Sequence, residues 1–523
     1  MKTIRHILRL CHVGLTLARH DALYALAVFE DKQNRIDQLR RFGKMDLFGR
    51  HANTDDSTAG DRLVEALQSL GPTFIKFGQA LATRPDLIGT ETALALTRLQ
   101  DKVPPFPTIT AKAVIEEELG KPVDHLFAEF DETPIAAASI AQVHFAVTPE
   151  GQKVAVKILR PGIEDAFARD LECFHWLARK VERFFAKFRR LRPADVMETI
   201  AETIAVEMDL RYEAAAASRL YDEMRDCDFF HVPKIDWERT SRRVLSIARV
   251  EGTPFTNPGA IDARGFDRSV LAKNVMQSFL TQALEHGFFH ADLHQGNLFA
   301  TEGNSITAID FGIMGYMDVE SRRVLAEILY GFLQRDYDHV AKVHFDAGYV
   351  PAGQSLEKFS LALRAVSEPI ADKPVSEISI GRLLAQLFET TETFEMKTQP
   401  QLLLLQKTMV TVEGVAMNLD PQINSWEAAR PVIEKWMRAN LGPKSRLERT
   451  ATELIEMGTR LPHIARDFDN LMQDIKENGI TLSPQTVQLM TTQRPQRGTF
   501  QSLVIGLIGG ALGALAAWLW VTS

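Results

Sequence analysis

HADLHQGNLFATEGNSITAIDFG, residues 290–312, is the stretch from which the rest of this sequence is best read. NLFA and SITAIDFG are β-type runs on either side of the turn TEGN, so a hairpin is expected there. The stretch carries Asp292, Asn297 and Asp310, three side chains with hard oxygen donors, which are expected to converge on one site. That set meets a specific chemical need. A triphosphate bears several negative charges, so moving its terminal phosphoryl group requires a divalent cation held by oxygen ligands while one carboxylate stays free for the acceptor.

The spacing narrows the reading. Asp292 and Asn297 stand five residues apart and Asp310 opens a DFG, matching the catalytic loop and metal-binding motif of protein kinases. In that pattern Asp292 positions the nucleophile, while Asn297 and Asp310 hold Mg²⁺. His290 and His294 flank Asp292 in the HxDxH manner of some zinc sites, but His290 also fills the kinase position that braces the loop backbone. Ala291 replaces the arginine that in many kinases answers a phosphorylated activation loop, so control of that kind is not expected.

Toward the N-terminus, AQVHFAVT (141–148) and KVAVKIL (153–159) read as antiparallel strands joined at Pro149 to Gln152, with HLFAEFD (125–131), VPKID (232–236) and RRVLSIARVEG (242–252) as further strand candidates. Lys157 lies where the kinase lysine grips the α and β phosphates, and it needs a carboxylate partner from a helix. The helical stretch from Ile163 to Asp226 offers Glu207, Asp209 and Glu213, of which Glu213 is favoured. Where a glycine-rich phosphate loop is expected, the sequence reads PIAAASIAQVH (134–144). Alanine resists the positive-φ turns that glycine permits. The candidate nucleotide-facing residues Ile135, Ala136, Ala137, Ala138, Ser139, Ile140, Ala141, Gln142 and Val143 must therefore handle phosphate in an unusual way, with Ser139 a candidate contact. A hinge-like segment near Val250 separates this small sheet from a larger helical half, which makes the architecture α+β and bilobed.

Composition sets the outer bounds. With 523 residues, 45% hydrophobic and 24% charged, the chain is globular, and its net charge of -8 argues against nucleic acid as a partner. Cys11, Cys173 and Cys227 are far apart and form no zinc or disulfide spacing, which suits a reducing compartment. The N-terminus reads as an amphipathic helix whose apolar positions are interrupted by Arg9, His12 and Arg19, so no signal-peptide core forms. From Phe500 to Val521 no residue is charged, and about 20 residues span a bilayer core, so a transmembrane anchor is expected there. Arg494 and Arg497 before it, with Trp518 and Trp520 at its far end, place its N-terminal side in the cytoplasm. Overlapping GxxxG pairs (Gly506 with Gly510, Gly509 with Gly513) are compatible with a homodimer. RKVERFFAKFRRLRP (179–193) reads as a solvated basic helix, with anionic lipid headgroups as the alternative partner.

Taken together these residues resemble the UbiB family of atypical kinases, which is linked to ubiquinone biosynthesis. The resemblance runs from about residue 65 to 440 and includes FIKFGQALATRPD (74–86), similar to the family's KxGQ signature through Lys76, Gly78 and Gln79, and LLLQKTMVTVEGVAMNLDP (403–421). It implies a kinase-like fold with an N-terminal helical extension (1–110), an N-lobe (111–252), a C-lobe (253–440), a helical tail (441–499) and the anchor (500–522). It also implies ATP and Mg²⁺ as cofactors. The KxGQ helix would fold over the active site with Lys76 paired to the ExD carboxylates Glu207 and Asp209, excluding protein substrates. The implied activity is ATP binding and hydrolysis supporting ubiquinone assembly at the cytoplasmic face of a bacterial inner membrane, with quinone precursors or the biosynthetic enzymes as partners. The alternatives are a true protein or small-molecule kinase and a nucleotide-binding scaffold.

Overall fold

The computed structural model describes residues 2–22, 59–82, 92, 95, 96, 99, 104–184, 192–371, 393–396 and 400–441. The expected tail and the anchor at 500–522 lie outside the described residues, as do 83–86 of the KxGQ stretch and 185–191 of the basic patch. Among the described residues, no helix is long and apolar enough to cross a membrane.

An N-terminal helical layer comes first: α1 (Lys2–Arg19), α2 (Ala59–Leu70) and α3 (Pro72–Ala82). Leu17, Leu63, Ala66, Leu67, Leu70 and Phe74 bury against one another there. Gly78 makes the close approach feasible, because a Cβ at that position would meet Leu99 Cδ1 at 2.4 Å. This explains a glycine inside a helix, where it otherwise costs about 1 kcal/mol against alanine.

The N-lobe sheet follows α4 (Thr108–Leu119) and α5 (Val123–Leu126). Its strands are β1 (Glu129–Phe130), β2 (Ala136–Ala137), β3 (Ala141–Val147), β4 (Lys153–Leu159) and β6 (Val244–Ala248), in the order β1-β3-β4-β6 with β2 paired to β3. Period-two alternation along β4 sends Val154, Val156 and Ile158 into a core with Ala111, Val114 and Ile115 of α4. Lys157 therefore points to the opposite face, where the chain continues as α6 (Ile163–Phe184), α7 (Pro193–Glu207) and α8 (Leu210–Glu223).

Three expectations need correction here. His125 and Leu126 of HLFAEFD belong to the end of α5, and only Glu129–Phe130 form a strand, opposite Val147 and Ala146. VPKID contributes a single bridge, Ile235 to Ile247, while the neighbouring β5 (Phe230–His231) joins a different sheet. The stretch from Ile163 to Asp226 is interrupted, because Asp209 takes an extended conformation and its side chain accepts from Arg211 N–H, capping a new helix.

Residues 249–252 connect β6 to the second sheet. Beyond them lie β7 (Thr253–Pro254), α9 (Pro258–Ala263), α10 (Arg268–Leu280) and β8 (Phe288–His290). Next come β9 (Leu298–Thr301), β10 (Ser305–Ala308) and β11 (Met314–Tyr316). The expected hairpin forms from β9 and β10, with Ser305 opposite Thr301 and Ala308 opposite Leu298. It is the centre of a sheet ordered β5-β10-β9-β7, and β8 pairs separately with β11. Helices α11 (Val319–Gln334), α12 (Tyr337–Asp346), α13 (Leu356–Ala371), α14 (Pro400–Leu419) and α15 (Ser425–Leu441) complete the C-lobe.

Candidate nucleotide site

The catalytic-loop backbone is held from behind before any ligand arrives. At the end of α10 one π-helical turn, Thr281–His286, carries Gln282, whose Oε1 accepts from His290 N–H at 3.0 Å. His290 is fully buried, and its Nδ1 accepts from Asp292 N–H at 3.1 Å. Burial pushes this imidazole below its ordinary range, so it is neutral with its proton on Nε2. Asn297 Nδ2 donates to Asp292 O at 3.1 Å, and Ile309 N–H donates to Asn297 O at 2.9 Å, which ties the loop to the DFG strand. The Thr408 hydroxyl of α14 donates to Ala291 O at 3.1 Å. The position that carries arginine in many kinases is thus occupied by a buried alanine whose carbonyl is clamped by a distant helix.

Both histidines of the HxDxH pattern act as braces rather than as a metal cage. His294 Nδ1 accepts from Gly296 N–H at 3.0 Å, and among the described residues no cluster of three or more His, Cys, Asp or Glu side chains is placed to hold a metal. Asn297 and Asp310, the expected Mg²⁺ ligands, could make only a leaner site, of the kind at which Mg²⁺ would retain waters and substrate phosphate oxygens. Asp310 fits that use: it has φ +61°, an uncommon conformation for a non-glycine residue, and its side chain is 51% exposed.

Lys157 Nζ lies 2.8 Å from both Glu213 carboxylate oxygens and 3.4 Å from Asp310 Oδ1. Burial alone would push this amine down, but the carboxylates of Asp310 and Glu213 outweigh it and leave it well above the lysine range. The same ammonium holds the Asp310 carboxyl well below its ordinary range, with Lys76 adding to the effect. Burial pushes Glu213 up, and Lys157 opposes that shift.

Lys76 reaches the same place from α3. Its Nζ is 3.1 Å from Glu207 Oε2, at the last residue of α7, where a carboxylate faces the negative end of the helix and profits from a nearby cation. The two ExD carboxylates divide: Glu207 meets Lys76, whereas Asp209 caps α8 and pairs with Arg211 at 2.6 Å. Gln79 Nε2 donates to Leu99 O at 3.4 Å, tying the KxGQ helix to the segment after it.

The alanine-rich stretch forms a tight hairpin in which Ala138 N–H donates to Ala141 O at 2.8 Å and no residue takes positive φ. Ile135 and Ala136 are exposed, and Ala137, Ala138 and Val143 are half-buried. Ser139, Ile140, Ala141 and Gln142 are buried, and the Ser139 hydroxyl is not a surface group. Gln142 is committed to structure: its Oε1 accepts from Phe106 N–H at 3.0 Å and its amide bonds His144 at 2.8 Å. Arg160 donates to Ala138 O at 3.0 Å through Nε and to Pro104 O at 2.8 Å, buttressing the turn. Arg160, Gln282 and Thr408 were not identifiable from the sequence, since each acts on a carbonyl or amide whose proximity only the tertiary fold creates.

The comparisons with known proteins agree with this geometry. Residues 98–344 match the ABC1 atypical kinase-like domain, and residues 363–424 match the UbiB helical domain. A protein of Marinobacter nauticus described as "Probable protein kinase UbiB" is 40% identical over 483 residues, covering 88% of each chain. Proteins of the same description from Pseudomonas entomophila and Azotobacter vinelandii are 39% and 42% identical, covering 88% and 79% of this chain and 87% and 77% of theirs. A solved structure, the complex of Rv3197 with erythromycin from Mycobacterium tuberculosis, is 24% identical and covers 72% of this chain and 95% of that one at a TM-score of 0.47, a likeness that carries no argument here. With relatives this similar over most of its length and a kinase-like site built from the residues its motifs single out, the chain belongs to the UbiB family of atypical, kinase-like proteins.

Proposed function

We propose that this protein binds ATP with Mg²⁺ between its lobes and turns over the terminal phosphate in support of ubiquinone assembly, at the cytoplasmic face of a bacterial inner membrane. The observation that carries the reading is the contact with Asp310 of Lys157, already paired with Glu213. Lys157, fixed by Glu213, presents its ammonium to the α and β phosphates. Asn297 and Asp310 hold the metal, which when bound neutralises charge developing on the phosphoryl oxygens. Asp292, one-third exposed and fixed through its backbone by His290 and Asn297, orients water or an acceptor hydroxyl. Lys76, paired with Glu207, adds to the field at the same aspartate, and a KxGQ helix folded over the site, as the family resemblance implies, favours hydrolysis or a small acceptor over a protein substrate.

The charge-free stretch from Phe500 to Val521 supplies the anchor, and quinone precursors, being strongly apolar, suit an ATPase held at the bilayer. Removing residues 500–523 should move the protein to the soluble fraction after an alkaline wash. The functional reading is tested by profiling quinone intermediates in a deletion strain complemented with wild type or with Asp292→Asn. Accumulated intermediates and lost quinone with Asp292→Asn are expected; undiminished quinone would replace the enzymatic reading with that of a nucleotide-binding scaffold. A phosphorylated partner found with labelled ATP in lysate, absent with Asp292→Asn, would instead make the protein a true kinase.

A further inference from the structure

α1 is amphipathic in an inverted sense. It is fastened to the body of the protein largely by polar and aromatic contacts: Arg9 pairs with the buried Asp170 of α6 through two bonds of 2.7 and 2.9 Å, and its guanidinium lies over Phe74. His6 is buried 5.7 Å from the Trp176 ring, and its carbonyl accepts from Cys173 Sγ. Leu17 is the buried apolar anchor on this side. The opposite side carries Ile4, Ile7, Leu8 and Leu15, which remain 48% to 65% exposed. Their spacing of three, four and seven residues puts them in one stripe on a helix of 3.6 residues per turn, and the exposed Cys11 falls within it.

Scattered exposed leucines are ordinary, but a helical stripe of four large apolar side chains facing outward is not. Its surroundings identify what covers it. α1 contains Lys2, Arg5, Arg9 and Arg19 and no acidic residue. Arg5 and His12 are exposed along one flank of the stripe. α1 runs antiparallel to α6, since His6 meets Trp176 while Arg9 meets Asp170. The N-terminal end of α1 therefore points toward the exposed end of α6, where Arg179, Lys180, Arg183 and an exposed Phe184 lie together.

We propose that the outward stripe of α1 seats on an anionic lipid bilayer, with the aliphatic side chains in the headgroup boundary and Arg5 and the basic end of α6 on the lipid phosphates. This contact is separate from the anchor at 500–522. It fixes how the kinase-like body lies on the membrane rather than whether it is bound.

The test uses the full chain in vesicles, with a bimane probe on Cys11 in a Cys227→Ser background, Cys173 being buried. In vesicles containing phosphatidylglycerol brominated near the headgroup, the probe should be quenched, and in phosphatidylcholine vesicles much less so. Arg5→Gln should weaken seating about fivefold. Ile4→Ser with Leu8→Ser should abolish the quenching without changing the melting temperature, because both side chains are already in water. A probe that stays water-accessible in both lipids overturns the proposal, whether or not the C-terminus is anchored. Energy transfer between labelled copies would assign the stripe to a second copy. Protection that persists in detergent and disappears on deleting 500–523 would assign it to the chain's own C-terminal segment. Either result also overturns the proposal.

Discussion

Two lysines approach Asp310 from different parts of the molecule. Lys157 comes from the central strand of the N-lobe sheet and is locked bidentately by Glu213, whose side chain is only 9% exposed. Lys76 comes from the helical extension and rests on a carboxylate at a helix terminus, without a well-aligned hydrogen bond to the buried Glu207 oxygen. The first pair belongs to the kinase-like core and orders one lobe internally. The second joins the extension to that lobe and adds a cation to the field at Asp310. Like chemistry thus serves two purposes, one to order the lobe and one to dock the extension on it.

The largest effect expected on activity lies outside both pairs, at the catalytic loop. Asp292→Asn should preserve the fold, because the loop backbone is held by the side chains of His290, Asn297 and Thr408, and should cut ATP turnover at least about a hundredfold. Wild-type turnover in a purified Asp292→Asn protein would detach the catalytic loop from the chemistry.

Breaking the inner pair comes next. Lys157→Met leaves Glu213 buried and unpaired and should cost about 3 kcal/mol of stability along with nucleotide affinity. Adding Glu213→Leu should recover much of the stability and none of the affinity. Denaturant melts of the single and double variants check this, and a double variant no more stable than Lys157→Met would mean that the pair is not the unit it appears geometrically to be.

The outer pair is more exposed to change. Lys76→Met should cost only about 1 kcal/mol, since the Lys76–Glu207 contact lacks the two well-aligned hydrogen bonds that fix Lys157 to Glu213. It also removes a cation that competes with Mg²⁺ at Asp310, so the Mg²⁺ concentration needed for half-maximal nucleotide binding should fall. An unchanged or higher Mg²⁺ requirement would show that Lys76 does not act on the metal site.

The two pairs also differ in how far the sequence reveals them. Lys157 is legible because a strand of alternating burial follows a turn, and Glu213 stands one helical turn into a helix whose cap, Asp209, is itself a recognisable signal. The β9–β10 hairpin is legible for the same local reasons. Lys76 with Glu207 is legible only through family resemblance, since more than a hundred residues intervene and either ExD carboxylate fits the spacing. It is the cap role of Asp209 that separates them. The pairing of β8 with β11 and of β5 with β10 was not legible, because two- and three-residue strands carry too few positions to show a period. Nor was the burial of Ser139 and Gln142, which depends on Phe106 and His144 packing behind the alanine hairpin.

The smallest prediction separates both ion pairs from acid sensitivity. Asp310 is held below and Lys157 above their ordinary ranges, so neither changes charge in mild acid. His344 of α12 does the opposite: buried, with Phe359 and Tyr349 edge-on to its ring and Nδ1 bonded to Val340 O at 2.8 Å, it is pushed down to about 4 from 6.5. Between those values the unfolded chain takes up a proton that the folded chain refuses, so stability is full above pH 6.5, falls as the pH drops toward 4, and levels off below it. By about pH 5.5 the loss should be about 1 kcal/mol. His344→Leu should reduce this slope, the remainder coming from His290 and His144, which burial also pushes down, while leaving the effects of Lys157→Met and Lys76→Met unchanged. If instead the acid slope survives undiminished in His344→Leu and vanishes in Lys76→Met, the outer pair rather than the buried histidine is the acid-labile element.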